Sequence, residues 1–359
     1  MVEANAIVQT ADRTLEMQQF ELPESLDPGQ AILEVEGCGI CGTDWALYQG
    51  ELVYDSPFIP GHEPVGRIHR IGPEAEERWG VSAGDRVAVG SSVHCGHCEF
   101  CTAGKPHICE NKFYYGVNGI EQVGPLRGGF SEYMLLHPDT MPFRVPESLS
   151  VNEAVLFNPL GNSIGWVDRA EVGLGDSVLI LGPGQRGLGC TIACNEVGAD
   201  DIIVTGLEKD DRKLQLAREF GATETIVVDD TDVVEAVERT LGEEQVDVVI
   251  DTTPNAFEPI TTAVEVVKPG GTIALTGHKD HEAVPIVVDD IITKDVTVKG
   301  LIVEGPWADR QALRLIAEGN YPIEKMHTHT FPLADAETAL QTLGGETADH
   351  PIHITVVPE

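Results

Sequence analysis

Basic residues are scarce in this chain. Its 359 residues include 23 Lys and Arg against 59 Asp and Glu, for a formal net charge of −36. A surface this negative repels phosphate backbones and anionic headgroups, which excludes nucleic acid and anionic membranes as partners. Lysine is rarer than arginine, and self-repulsion on this scale is relieved when molar salt shortens the Debye length to about 3 Å. The expectation is a halophilic protein built for a salty interior. No run of about 18 apolar residues is present, so no membrane span is expected. The first residues lack a basic segment followed by an apolar one, so no export signal is expected and the location should be cytoplasmic. Internal repeats and low-complexity tracts are also missing. What remains is 42% apolar and 23% charged, a composition that excludes disordered and fibrous chains. The length is enough for two domains with cores of their own.

Eight cysteines are present, four of them in one short stretch: Cys95, Cys98, Cys101 and Cys109. The spacing C-x2-C-x2-C-x7-C lets four thiolates face one centre. Zinc held by four such ligands would close the lobe without a hydrophobic core. Disulfides or an iron–sulfur cluster are the alternatives, the first disfavoured in a reducing compartment. A second set is split. Cys41, inside Gly-Ile-Cys-Gly-Thr-Asp, precedes His62 and Glu63, inside Pro-Gly-His-Glu-Pro, by about twenty residues. One soft, one borderline and one hard ligand suit a zinc with an open position. By themselves these residues also suit a tight turn with a satisfied imidazole.

The second half has the pattern of a nucleotide-binding sheet. The buried-strand run at 178–181 leads into Gly182-Pro-Gly184-Gln-Arg-Gly187, an intact G-x-G-x-x-G. A helical stretch (188–197) and a second strand (202–205) follow, which is the context the bare motif needs. The glycines permit a tight turn and close approach of a pyrophosphate to the helix N-terminus. Further strands are expected at 225–228, 246–251, 272–276 and 296–300, separated by helices, making six strands of a doubly wound α/β sheet. The first 150 residues instead carry short strands broken by Gly and Pro, at 31–35, 65–68 and 86–89, as in a β-rich barrel. A long helix is expected over 151–172, another over 307–318, and strands at 329–332 and 353–357. Cys190 and Cys194 read as buried packing, and His327 and His329 as structural residues of a surface strand.

Taken in order, GxCGTD, GHE, the four-cysteine lobe, Gly84-Asp-Arg-Val, Gly129-Phe-Ser-Glu-Tyr, the GxGxxG and Val298-Lys-Gly resemble the zinc-dependent medium-chain alcohol dehydrogenase superfamily. The segment Phe157-Asn-Pro-Leu-Gly-Asn is most similar to its threonine, polyol and sugar dehydrogenase branch. The resemblance implies a GroES-like catalytic domain (1–160), a Rossmann domain (161–300) and a C-terminal segment (301–359) returning to the first. It implies two zinc ions per subunit: one catalytic, on Cys41, His62 and Glu63, and one structural, on Cys95, Cys98, Cys101 and Cys109. Thr43 takes the place of the family's proton-passing hydroxyl. The implied activity is reversible hydride transfer between a secondary alcohol, polyol or sugar hydroxyl and a nicotinamide, in a dimer or tetramer. An L-threonine-type amino alcohol is an alternative substrate, and a non-catalytic binding protein reusing the fold is the alternative from another class.

Three features depart from the family pattern. Asn158 stands where an anionic ligand is usual, so a neutral amide or water would complete the catalytic zinc. The relay histidine positions hold Trp45 and Ala46. At the end of the second Rossmann strand, Gly206 replaces the acidic residue that holds ribose hydroxyls. Lys209 and Arg212 follow and would attract a 2′-phosphate, favouring NADP; Glu208, which could hold a ribose, keeps NAD open.

Overall fold

The computed structural model describes residues 2–52, 54–242, 245–302 and 305–358. The chain divides into two compact units, one of residues 1–158, 305–319 and 323–359 and the other of 159–304 and 320–322.

The first unit is the GroES-like one. Its main sheet runs His327–Pro332, His353–Val357, Ala31–Ile40, Glu63–Ile71, Arg86–Val89 and Pro142–Arg144, with Tyr133–Leu136 also pairing to Ala31–Ile40. Two of these strands are longer than the expected 31–35 and 65–68: Ala31–Ile40 and Glu63–Ile71 run through Gly37, Gly39, Pro64 and Gly66 instead of stopping at them, and their pairing shifts register twice. One core packs Leu33, Val35, Ile68, Val87, Val89, Tyr115 and Met134 between these strands. A second packs Cys38, Ile40, Tyr48 and Phe130 against Leu340 and Ile354 from the C-terminal segment, which completes this unit. Burying side chains of this size contributes roughly 1.5–3 kcal/mol each.

The second unit is a Rossmann fold. Six parallel strands lie in the order Glu224–Val227, Asp201–Gly206, Ser177–Leu181, Val246–Asp251, Val267–Leu275 and Thr297–Gly300. The strand order reverses beside Ser177–Leu181, the place where such sheets take their ligands. Leu179, Leu181, Ile203, Val249 and Ile273 form the buried core. The central strands Ser177–Leu181, Asp201–Gly206 and Val246–Asp251 are rich in Val, Ile and Leu because they are buried on both faces.

One expected helix also differs. The long helix over 151–172 is two helices, Val151–Ala154 and Phe157–Arg169. Pro159 explains the break: without an N–H, and with a ring that would strike the carbonyl of residue 155, it fits only the first turn of a helix. The first short helix has its own start chemistry, a capping box in which the Ser150 hydroxyl accepts from Glu153 N.

Candidate metal centres and cofactor turn

Cys41 follows the strand Ala31–Ile40 and caps the helix Gly42–Gln49. Its Sγ accepts from Thr43 N at 3.3 Å, so the thiol does the work usually given to a Ser or Asp at a helix start. The strand Glu63–Ile71 is the antiparallel neighbour, and its entry brings His62 Nε2 to 3.1 Å from Cys41 Sγ. The donor atoms of Cys41, His62 and Glu63 all lie within 4.8 Å of one another, and all three residues are buried. Burial pushes the His62 pKa down, but the Asp44 carboxylate and the Cys41 sulfur outweigh it and hold the imidazolium well above its ordinary value. Surroundings that favour a proton this strongly favour a metal cation in the same place. The soft, borderline and hard donor set fits zinc.

Asp44 is a residue of this site that its sequence position did not single out. It is 2% exposed. One carboxylate oxygen accepts from Cys41 N at 2.9 Å and the other lies 3.1 Å from His62 Nδ1. It therefore fixes the imidazole with Nε2 turned toward the sulfur. The signal was present as the fourth residue of a capping box, C-x-x-D, masked by a cysteine in the cap position. His353, from the C-terminal strand His353–Val357, is the other unforeseen neighbour, with Nε2 3.5 Å from Glu63 Oε2. Only tertiary structure joins residues 290 apart.

Thr43 is exposed in the first turn of the same helix. Asn158 is buried at the second position of Phe157–Arg169. Trp45 packs on Tyr48, with ring centroids 5.7 Å apart, and belongs to the core rather than to a relay.

Cys95, Cys98, Cys101 and Cys109 come together as the second group, again with all sulfurs within 4.8 Å. All eight cysteines of the chain are free thiols. Cys109 Sγ lies 3.5 Å from Cys95 Sγ and 3.8 Å from Cys98 Sγ. A tetrahedron with zinc–sulfur bonds of about 2.3 Å has edges of about 3.8 Å, so one ion fits this spacing. Backbone N–H groups of Cys98 and Cys95 point at Cys95 Sγ and Cys109 Sγ. The Cys95 thiol is lowered to about 6, chiefly by the backbone N–H of His97. Among the described residues these are the two groups of three or more such side chains able to hold a metal. His327 and His329 join neither; His327 instead bonds Thr330 and Thr355. Cys190 and Cys194 are buried in the helix Gln185–Val197, as packing residues.

In the second unit, Gly182 takes a φ of +96°, and a Cβ at Gly187 would fall 1.9 Å from Gly182 O. Both positions are closed to any other residue. Gly184 differs: it caps Gln185–Val197 without a side-chain bond, and a Cβ there would meet nothing within 4 Å. That open space at the start of a helix fits a pyrophosphate. Gly206 has a reason the sequence did not reveal. A Cβ there would stand 2.8 Å from Pro183 Cγ and 3.0 Å from Leu214 Cδ2, so packing of the glycine turn requires it. Beyond it, Lys213 is bound to the buried Asp210 at 2.8 Å, and Glu208 N donates to Asp229 at 2.6 Å. Lys209 and Arg212 are exposed, with no acidic partner among the described residues. Asp229 thus braces the ends of the strands Asp201–Gly206 and Glu224–Val227.

Two family models match: the alcohol dehydrogenase GroES-like domain over residues 27–147 and the zinc-binding dehydrogenase domain over 187–318. A Mycobacterium tuberculosis protein named "Probable alcohol dehydrogenase" is 39% identical across 98% of both chains. The sorbitol dehydrogenase of Bacillus subtilis is 28% identical over 94% of this chain and 92% of its own. A crystal structure of a zinc-binding dehydrogenase from Sinorhizobium meliloti bound to NADP is 28% identical, covers all of both chains and superposes with a TM-score of 0.88. With buried Cys-His-Glu and four-cysteine groups in a GroES-like unit and a Rossmann unit beside it in the chain, the protein belongs to the zinc-dependent medium-chain alcohol dehydrogenase superfamily.

Proposed function

We propose that this enzyme is an NADP-preferring dehydrogenase of secondary alcohols, with a polyol or sugar as its substrate class. The observation that carries the reading is the buried Cys41, His62 and Glu63 group, its imidazole oriented by Asp44. These residues would hold the catalytic zinc, with Asn158 as a neutral neighbour of the shell, and the four-cysteine group would hold a structural zinc. The chemistry supplied by the bound groups is Lewis acidity toward the substrate oxygen and acceptance of a hydride by the nicotinamide. The chain's part is orientation and proton handling. Asp44 keeps His62 Nε2 directed at the metal position, and the exposed Thr43 hydroxyl takes the substrate proton toward solvent. Gly182, Gly184 and Gly187 would take the pyrophosphate, and Gly206 leaves the ribose end uncharged, so Lys209 and Arg212 would hold the 2′-phosphate.

Kinship with a sorbitol dehydrogenase supports a polyhydroxy substrate. The edge strand Thr297–Gly300, with exposed Ile286, Val287, Ile292 and Val298 near it in the chain, supports association with a second copy. Net charge supports a salt-requiring protein. The deciding experiment measures kcat/KM on a panel of alcohols, polyols, sugars and L-threonine at high KCl, with NAD and NADP in parallel, on protein whose zinc content is known. Reduction of NADP by polyols with about two zinc ions per chain is the expected result. Absence of turnover with every alcohol would overturn the reading.

A further inference from the structure

Glu63 is reached by a second side chain across the sheet. The strands His353–Val357, Ala31–Ile40 and Glu63–Ile71 are antiparallel neighbours, and Gly39 pairs with Thr355 on one side and Glu63 on the other. His353 lies two residues before Thr355, hence on the same face. Strands separated by a third lie about 9.5 Å apart, and the middle strand's side chain normally fills the gap. Position 39 has none. A Cβ there would lie 2.4 Å from Glu63 Oε2 and 2.8 Å from His353 Nε2. The carboxylate and imidazole lean over the glycine and meet at 3.5 Å, each side chain 0% exposed. Among the described residues neither ring nitrogen of His353 makes a hydrogen bond; Glu63 Oε2 is its ion-pair partner, and the His327 ring lies 6.2 Å away between centroids. A buried imidazole in a barrel core is unfavourable unless a polar group meets it, and an apolar residue would fill the same volume.

We infer that His353, acting across the gap at Gly39, is a positioning residue that holds Glu63 Oε2 and thereby sets how tightly Cys41, His62 and Glu63 retain their metal. This rests on the reading of those three residues as the catalytic zinc site. An Nε2–H donor is sufficient for the role. Nothing in it requires His353 to touch substrate.

The test compares zinc-loaded, full-length protein with His353→Phe, which removes the donor at similar size, and His353→Gln, which restores an N–H at similar reach. Zinc release to a chromophoric chelator is followed over time, together with the visible absorption of the cobalt-substituted protein. Expected is release from one of the two sites faster by about tenfold to a hundredfold in His353→Phe, with a changed cobalt spectrum. His353→Gln should lie near wild type, and the four-cysteine ion should be retained in all variants as a control for folding. If His353→Phe does not fold, Gly39→Ala gives the same readout with His353 in place, because it puts a methyl between the two side chains. Wild-type release from His353→Phe, or equal acceleration in the Phe and Gln variants, would overturn the role. Glu63→Gln separates the two levels. Unchanged release in Glu63→Gln rejects the metal-site reading and this inference with it. Fast release in Glu63→Gln beside wild-type release in His353→Phe rejects His353 alone.

Discussion

Asp44→Asn is the substitution that tests the candidate catalytic centre most directly. The carboxylate serves two partners with two oxygens, Cys41 N at 2.9 Å and His62 Nδ1 at 3.1 Å, in a 2% exposed position. An amide keeps the shape but has one acceptor oxygen. Whichever way it turns, its NH2 faces one of the two N–H groups. One charge-assisted hydrogen bond is therefore lost, about 1.5–3 kcal/mol. Expressed as affinity this is roughly ten- to a hundredfold, the range in which the outer partners of metal ligands act. Zinc competition against a chelator should show one ion weakened by that factor and the other untouched. The metal-free protein adds a pH test. Asp44 helps hold His62 well above its ordinary pKa. A group whose folded pKa is raised contributes stability below its unfolded pKa of about 6.5 and loses it as pH rises through the folded value. Denaturation of chelator-treated wild type should thus show a stability decline above about pH 6.5 that Asp44→Asn flattens. Wild-type zinc affinity in a folded Asp44→Asn protein would refute the orienting role.

Cys98→Ala should lose the ion of the four-cysteine group and lower the melting temperature, while Cys41→Ala should lose activity with the fold kept; elemental analysis and circular dichroism check both, and full activity in both would reject the metal assignment. Lys209→Glu with Arg212→Glu should reduce the NADP-over-NAD ratio of kcat/KM by a few-fold to about tenfold, less at high salt because both side chains are exposed; the same ratio in the variant would leave the 2′-phosphate without its proposed partners. Gly206→Asp is not a clean substitute, since position 206 has no room for a side chain. The melting temperature should climb with KCl into the molar range, and a maximum in dilute buffer would contradict the salt requirement. Burial, aided by His353, lowers His327 to about 4, so the unfolded chain binds a proton there before the folded one does. Stability should fall as pH drops from about 6.5 toward 4, and His327→Gln should lessen that fall in acid denaturation curves.

Both halves of the fold were legible from local patterns. Val and Ile runs with a G-x-G-x-x-G at the first strand end leave few alternatives to a parallel sheet with helices on both faces, and short strands broken by Gly and Pro point to a barrel-like sheet. The four cysteines were legible because one loop carries them all. Cys41, His62 and Glu63 became a group only in combination with the other motifs, since twenty residues of chain separate the cysteine from the histidine and glutamate. Tertiary structure alone decided the rest. Asp44 acquires its role because a helix start turns it toward a histidine on the next strand. His353 reaches Glu63 because Gly39 leaves a gap between two strands that are remote in the chain. Gly206 is dictated by packing against the Pro183 ring and Leu214. Sequence patterns record the period and chemistry of neighbours along the chain, whereas these three contacts depend on register and packing between elements, which no local pattern encodes.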